Sequence, residues 1–308
     1  MLNKLIKNQA YKNTLVRYLN YNSEIYTIFY HRMQLKYLIV NQNKTMQLNF
    51  FKYEGAGNDF ILIDNRNNTF PLLDNANAIE KLCDRHFGIG ADGLMVLQLK
   101  EGYDFEMIYY NADGREGSMC GNGGRCIVAF ANHLGLIKKE TNFLAVDGPH
   151  YARISENGDR VSLQMIDVQS IMKDGDAFVL NTGSPHYVLP VSNLQKKDVF
   201  TDGKNIRYND VYKNEGINVN FVEDQGDHLF VRTYERGVED ETYACGTGVT
   251  AVAMVMAQQK ALRGKVHTSI RVPGGDLNVD FQYDGKNYSQ VFLEGPATFV
   301  FEGNINVK

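Results

Sequence analysis

The sequence of 308 residues lacks long apolar runs, has few cysteines and carries no excess of positive charge. No apolar run approaches the roughly 18 residues of a membrane-spanning helix, so no span is expected. Four scattered cysteines do not make a disulfide scaffold and are typical of the reducing cytoplasm. A formal net charge of -4 gives no support for the positive field that nucleic-acid binding uses. The sequence therefore predicts a cytoplasmic protein with neither membrane nor nucleic-acid partners.

The composition is that of a globular protein, with 44% hydrophobic and 22% charged residues. The length suits one large domain or two of ordinary size. Residues 1–45 differ from the rest, because they contain seven Lys or Arg but a single acidic residue, Glu24, and neither Gly nor Pro. A targeting peptide is one interpretation. The preferred hypothesis is a non-essential extension that precedes a natural start at Met46.

From Met46 onward, short strand-like runs alternate with turns that contain Gly or Asn. Longer apolar periodicity predicts helices over Ala76–His86, Asn122–Leu134 and Thr247–Lys260, the second followed by a suitable terminal glycine, Gly135. Many strands and few helices indicate the α+β class.

A weak internal repeat surrounds two of the cysteines. Cys120-Gly-Asn-Gly and Cys245-Gly-Thr-Gly both open an apolar helix and lie 125 residues apart. A turn at Asn58 precedes Cys120 by 62 residues, and one at Ser184 precedes Cys245 by 61. We therefore expect two similar halves related by a pseudo-twofold axis, with the active site in the cleft between them.

The two cysteine loops have the features of an acid–base pair. Glycines after the thiol expose backbone amides, and the following helix adds the positive end of its dipole, which favours a bound carboxylate and a thiolate. A modest downward shift from the usual pKa of about 8.5 would give one thiolate base and one thiol acid. Two opposed groups can invert a stereocentre, because one removes a proton while the other delivers one. The scheme needs no metal, and no pyridoxal phosphate lysine motif is recognisable, so we predict no cofactor.

Alternatives remain for individual residues. Cys83 and Cys126 lie among apolar neighbours at helical spacing and are expected in the core. A lone Cys-Gly-Xaa-Gly could be a turn, and only its duplication makes the motif specific. Zinc binding is disfavoured, because no Cys-Xaa-Xaa-Cys pair occurs, whereas a redox switch stays open. His186 either satisfies a loop carbonyl or supports the thiols.

From about Met46 to the C-terminus the chain resembles the diaminopimelate epimerase family. The resemblance rests on "GAGNDFILID", "DRHFGIGADGL", "YYNADGREGSMCGNGGRC", "GSPHYV", "GINVNF", "YERGVEDETYACGTG" and "GPATFVFEG", in family order. It implies a homodimer whose subunits contain two pseudo-symmetric halves, each a curved, mostly antiparallel sheet around a central helix. The halves would comprise residues 46–165 with 297–308, and residues 166–296.

The resemblance also implies the reaction and its residues. Cys120 and Cys245 would interconvert LL-2,6-diaminopimelate and its meso form, in lysine and cell-wall precursor synthesis. The backbone of Gly121, Asn122, Gly246 and Thr247 would hold the α-carboxylate, Glu235 and Asn58 the reacting amino group, and Asn111, Asn218 and Arg236 the distant end of the substrate.

Three departures from the family pattern affect substrate contacts. Ser184 stands where many relatives have Asn, Gly93 stands where some have Gln, and the segment between Arg236 and Cys245 is one residue longer than usual. Two other functions compete. One is a proline or hydroxyproline racemase, although such relatives tend to have His where Asn122 stands. The other is a non-catalytic binding or redox protein.

Overall fold

A computed structural model describes residues 46–73, 75–117 and 119–307. The predicted extension, residues 1–45, lies outside the described residues. Contacts group Asn49–Gly303 into one compact unit, and the described residues 46–48 and 304–307 fall outside it.

Strands dominate the described chain. The strands are β1 (Met46–Gly55), β2 (Asn58–Asp64), β3 (Gly93–Gln98), β4 (Phe105–Asn111), β5 (Glu140–Ala145), β6 (Gly148–Ile154), β7 (Arg160–Gln164), β8 (Met172–Asp174), β9 (Ala177–Asn181), β10 (Pro185–Pro190), β11 (Asn218–Asp224), β12 (Leu229–Glu235), β13 (Asp240–Thr242), β14 (Gly264–Val272), β15 (Gly275–Tyr283), β16 (Tyr288–Pro296) and β17 (Thr298–Val307). The helices are α1 (Ala76–Cys83), α2 (Gly121–His133), α3 (Val199–Arg207) and α4 (Gly246–Gln259), with a 3-10 turn at Leu194–Lys196. The predicted α+β class is confirmed.

The predicted helices form, with shifted ends. Helix α2 ends as the sequence predicts, because Gly135 adopts a left-handed conformation with φ of 71° and the Leu136 amide then donates to the Ala131 carbonyl. The predicted helix over Ala76–His86 is too long. It ends at Cys83, because Asp84 turns to an extended conformation and its carboxylate accepts the amides of the next turn.

The pairing of the strands repeats in order. In the first half β1 and β2 are antiparallel, β2 and β3 parallel, β3 and β4 antiparallel, β4 and β5 parallel, and β5, β6 and β7 antiparallel. The second half repeats this sequence with β9, β10, β11, β12, β14, β15 and β16. Antiparallel pairing of β7 with β16 joins the halves. The duplication inferred from the cysteine motifs is therefore a duplication of topology.

Each half packs around its own central helix. Helix α2 is buried from Gly121 to Ala131 and contacts the apolar faces of β2, β3, β6 and β7. Helix α4 takes the equivalent place in the second half and is almost entirely buried from Gly246 to Ala257. A helix that is apolar all round must be covered on every side, so each sheet wraps its helix.

The chain returns to the first half after β16. Ala297 lies in the first core, and its amide donates to the Asp159 carbonyl at 3.1 Å. The ring of Phe299 then packs edge-on against Tyr53 and His133, with centroid separations of 5.5 and 5.3 Å. Ala297 and Phe299 therefore lie against the core of the first half.

In the described part of the chain, no helix combines the length and the apolar character that a membrane crossing requires. All four cysteines are free thiols. Cys83 and Cys126 are both buried, which confirms the prediction that both are core residues.

Candidate active site

The two cysteine helices meet end to end. A Cβ atom built on Gly246 would lie 3.3 Å from the Gly121 Cα, and one built on Gly121 would lie 3.5 Å from the Gly246 Cα. Both built atoms also approach Leu293 Cδ2, at 2.9 and 3.0 Å. Glycine at both positions therefore lets the N-termini of α2 and α4 come into backbone contact. Cys120 and Cys245 precede these glycines and are the N-cap residues of their helices.

The helix starts present backbone amides to the same small volume. The first amides of an α-helix have no partner within the helix, and they carry the positive end of its dipole. In α2 the Gly123 amide donates to Cys120 Sγ at 3.2 Å. In α4 the Thr247 hydroxyl lies 3.6 Å from Cys245 Sγ. Two helix starts in contact form a site for an anion such as a carboxylate.

The thiols themselves differ from the expectation of a lowered pKa. Burial raises the pKa of Cys120 to about 11, and the Gly123 amide opposes this effect without offsetting it. Burial also raises the pKa of Cys245, and the nearby charge of Glu235 adds to that effect. Loss of water outweighs the helix amides, so the neutral thiol is favoured at both positions.

Glu235 lies near both thiols. Its charge raises the pKa of both thiols, so the carboxylate is within electrostatic range of each. Burial raises the pKa of Glu235 itself, although the Thr242 hydroxyl donates to Oε2 at 2.8 Å. A buried carboxylate in this position suits a ligand ammonium group.

Asn58 is held in one orientation by its neighbours. Its Nδ2 donates to Asp92 Oδ2 at 2.5 Å, and its Oδ1 accepts a longer bond of 3.4 Å from Asn122 Nδ2. A carboxylate only accepts hydrogen bonds, so Asp92 fixes the amide nitrogen of Asn58 on its own side. The carbonyl oxygen of Asn58 is therefore turned toward the start of α2, where it can accept from an ammonium group.

Two of the three residues assigned to the distant end, Asn218 and Arg236, come together with Ser184. Asn218 Nδ2 donates to Ser184 Oγ at 2.9 Å, and Asn218 Oδ1 accepts the Arg236 amide at 2.9 Å. The Arg236 guanidinium donates to Ser184 Oγ at 3.3 Å. Asn111 is separate. It ends β4 on an exposed turn, and among the described contacts none joins it to this cluster.

His186 is completely buried below the start of α4. Its Nδ1 accepts from Asn220 Nδ2 at 3.1 Å, which places the ring proton on Nε2. Burial, with a smaller contribution from the charge of Arg236, lowers the pKa of His186 to about 3. A Cβ atom built on Gly248 would lie only 2.3 Å from Asn220 Oδ1. The imidazole is therefore neutral, and it contacts Asn220, whose side chain lies against the first turn of α4 at Gly248.

The sequence reasoning missed two polar residues at the site. Asp92 orients Asn58, and Arg125 is fully buried with its guanidinium on Asn122 Oδ1. Both occur within motifs already noted, "GADGL" and "CGNGGRC". Position within these motifs is the signal that could have identified them.

Among the described residues no group of His, Cys, Asp and Glu is arranged to hold a metal ion. That the reaction needs no cofactor stays a prediction.

Comparison with known proteins agrees with this geometry. The family model described as diaminopimelate epimerase matches residues 50–171 and 178–300. The chain belongs to the diaminopimelate epimerase family. A diaminopimelate epimerase of Flavobacterium psychrophilum is 51% identical over 262 residues, which cover 84% of this chain and 100% of the relative. The epimerase of Chlorobaculum tepidum is 42% identical, with 82% of this chain and 99% of the relative covered.

Solved structures with little sequence identity share the fold of this epimerase family member. A Bacillus anthracis phenazine biosynthesis protein of the PhzF family superposes with a TM-score of 0.66 at 15% identity, covering 85% of this chain and all of the other. A hydroxyproline epimerase of Agrobacterium vitis gives a TM-score of 0.61 at 13% identity, covering 85% and 93%. These likenesses confirm the predicted architecture of two pseudo-symmetric halves.

Proposed function

We propose that this chain is an isomerase that interconverts LL- and meso-2,6-diaminopimelate through two cysteines, without a cofactor. The observation that carries the proposal is the meeting of the two cysteine helices at Gly121 and Gly246. It brings one thiol from each half to a single anion site. This reaction belongs to the synthesis of lysine and of cell-wall precursors.

The proposed reaction begins with the substrate α-carboxylate on the amides of Gly121, Asn122, Gly246 and Thr247. One cysteine, as thiolate, takes the α-proton from one face, and the thiol of the other cysteine delivers its proton to the opposite face. The roles of Cys120 and Cys245 exchange with the direction of reaction. The helix amides stabilise the carbanion, because they are already oriented toward the charge that develops on its carboxylate.

The rest of the substrate is recognised in two places. Glu235 and the fixed carbonyl oxygen of Asn58 hold the reacting ammonium group. That ammonium also offsets the cost of forming a buried thiolate beside it. We assign the distant amino-acid end to Arg236, Asn218 and Ser184, which already contact one another, and to Asn111 on the facing half. A planar guanidinium suits the distant carboxylate.

We further propose a cytoplasmic homodimer. Free thiols at all four cysteines suit a reducing compartment. Three consecutive large apolar residues of β17, Phe299, Val300 and Phe301, are each at least 41% exposed, which is unusual on a strand that faces only water. Burial of this surface against a second copy would explain them.

The division of the chain stays a proposal as well. We assign residues 46–165 with 297–308 to the first half and residues 166–296 to the second. Residues 1–45 are proposed to be dispensable, because the family match begins at residue 50 and the Flavobacterium psychrophilum relative is matched along its whole length.

Chiral chromatography tests the substrate. The purified protein is incubated with LL-diaminopimelate and, separately, with L-proline, and the stereoisomers are resolved. We expect conversion of diaminopimelate only, and turnover of proline alone would contradict the proposal. Replacement of Cys120 or Cys245 by Ala should abolish conversion in each case. Full activity of either variant would point to a non-catalytic or redox role for the thiols.

Labelling in heavy water tests the use of two bases. At early times the product should carry deuterium at the inverted carbon, while unreacted substrate stays mostly unlabelled. A single base would exchange its proton with solvent and label both pools equally.

A further inference from the structure

Arg125 is a fully buried cation in the first turns of α2. Its guanidinium donates to three oxygens: Nε to Pro296 O at 3.2 Å, one terminal nitrogen to Gly121 O at 3.2 Å, and the other to Asn122 Oδ1 at 3.0 Å. A Cβ on Gly295 would lie 2.9 Å from Nε, so the absence of a side chain there makes room for the guanidinium.

This arrangement is costly for stability alone. Within the part of the chain that the structure describes, no carboxylate lies at ion-pair distance from Arg125, and all its partners are carbonyl oxygens. A buried charge without a counterion is less favourable than a well-packed apolar side chain of similar size. Retaining an arginine here therefore calls for another role.

The contact with Asn122 connects the guanidinium to the second cysteine loop. A guanidinium only donates hydrogen bonds, so it fixes Asn122 with Oδ1 toward Arg125 and Nδ2 away from it. Asn122 Nδ2 then donates to the carbonyl of Ala244 at 3.0 Å, and Ala244 precedes Cys245. The bridge runs from the first half to the second and crosses the contact of the two helix starts.

We propose that Arg125 is a positioning residue that acts through Asn122: it holds the Cys245 loop against the Cys120 helix at the spacing that proton transfer requires. Arg125 does not touch the substrate. The inference rests on the proposed two-cysteine reaction, in which displacement of a reacting group by about 1 Å can reduce the rate about a hundredfold.

The bridge also keeps Cys245 buried, at 6% exposure, so its alkylation by iodoacetamide measures the bridge without any substrate. We expect Arg125→Lys to raise the rate of Cys245 alkylation, mapped by mass spectrometry, about tenfold, because lysine keeps the charge but cannot orient the Asn122 amide. Asn122→Ala should have the same effect, and the double variant should react no faster than Asn122→Ala alone. Arg160→Lys is the matched control, since Arg160 pairs with Glu294 at 2.8 Å, and it should match the parent.

Turnover of diaminopimelate gives the second measurement. We expect Arg125→Lys to lower kcat about tenfold or more in the parent and to change it less than twofold in the Asn122→Ala background. Unchanged Cys245 alkylation in Arg125→Lys, or effects that multiply in the double variant, would overturn the role of Arg125. Should Arg125→Lys fail to fold, unchanged Cys245 reactivity in Asn122→Ala would overturn it. A parent that converts no diaminopimelate refutes the proposed function instead, and the alkylation rates still decide on the bridge.

Discussion

The reactive cysteines stand between two opposing physical effects. Helix amides favour a thiolate, whereas removal from water favours the neutral thiol. At Cys120 burial is the larger effect, and the Gly123 amide reduces it only in part. The neutral thiol is therefore favoured at both positions, and in the proposed reaction the ammonium group of the substrate offsets the cost of forming one thiolate.

The pH dependence of alkylation measures this balance at Cys120. In Cys245→Ala, we expect the rate of Cys120 alkylation to rise about tenfold per pH unit from pH 7 to 10, since the thiolate fraction grows until the pKa of about 11 is reached. Glutathione in the same buffers should level off near pH 9. A plateau for Cys120 below pH 9 would contradict the raised pKa.

For His186 we predict an effect on the stability of the fold rather than on the rate of the reaction. The unfolded chain binds a proton on this histidine near pH 6.5, whereas the folded protein does so only near pH 3. The contribution of His186 to the free energy of unfolding is therefore fully present above pH 6.5 and is lost as the pH falls.

We expect the free energy of unfolding of the parent to fall more steeply between pH 6 and 4 than that of His186→Gln, by up to about 1.4 kcal/mol per pH unit. Urea denaturation of both proteins at several pH values measures the difference. Carboxylates common to both cancel in this comparison, and parallel curves would show that His186 is not held neutral.

At the residue scale, the sequence was most informative where its context was duplicated. Cys120 and Cys245 each open a glycine-rich helix start in a repeated frame, which predicted that they lie together, and the structure brings their helix starts into contact. Arg125 and Asp92 were missed, because a lone charge in a sequence is usually a solvated one, and its burial or its partner is set by the tertiary fold. The lowered thiol pKa was mispredicted for the same reason, since the sequence shows the helix start but not the loss of water.

At the scale of the elements, the helix starts depend on glycine for two different reasons. Gly246 has little room for a side chain, because Gly121 and Leu293 lie against it. Gly135, at the other end of α2, has open space around it but a φ of 71°. Gly246 is therefore constrained by the close approach of its neighbours, whereas Gly135 is constrained by its backbone conformation.

Alanine at these two positions should have different effects, one on kcat and the other on stability. Gly246→Ala separates the helix starts, so we expect kcat to fall at least tenfold, with partial recovery when Leu293→Val removes one of the two contacts. Gly135→Ala should lower the free energy of unfolding by about 1–2 kcal/mol and leave kcat unchanged. Steady-state kinetics and urea denaturation measure the two effects. Normal kcat in Gly246→Ala would mean that the helix contact is not needed for turnover.

Periodicity located the ends of the three predicted helices to within one residue, apart from the C-terminal end of α1, which lies three residues earlier than predicted. Helix α1 stopped early because the side chain of Asp84 competes with the helix for the amides that follow it. Helix α3, from Val199 to Arg207, was not predicted. It buries only Val199 and Gly203, so its apolar signal in the sequence is weak.

At the scale of the whole molecule, duplication explains both the topology and the chemistry. The repeated order of parallel and antiparallel pairs places α2 and α4 in equivalent positions, and the pairing of β7 with β16 sets the halves against each other. The proposed reaction uses this arrangement, because one cysteine from each half precedes the contact of the two helix starts. The sequence revealed the duplication but not the pairing of the strands, which depends on contacts between distant segments.

The exposed apolar residues of β17 predict that two copies of the chain associate through this strand. Val300 is 49% exposed between Phe299 and Phe301, and neighbouring residues of a strand point to opposite faces, so both faces of this segment offer apolar surface. We expect the protein to sediment as a dimer and Val300→Asp to shift it toward the monomer, because a buried carboxylate without a partner opposes association. Val146→Asp, in an exposed turn, is the control and should stay dimeric. Analytical ultracentrifugation over a range of concentrations measures both. A monomeric parent, or a Val300→Asp variant as dimeric as the parent, would show that this surface does not join two copies.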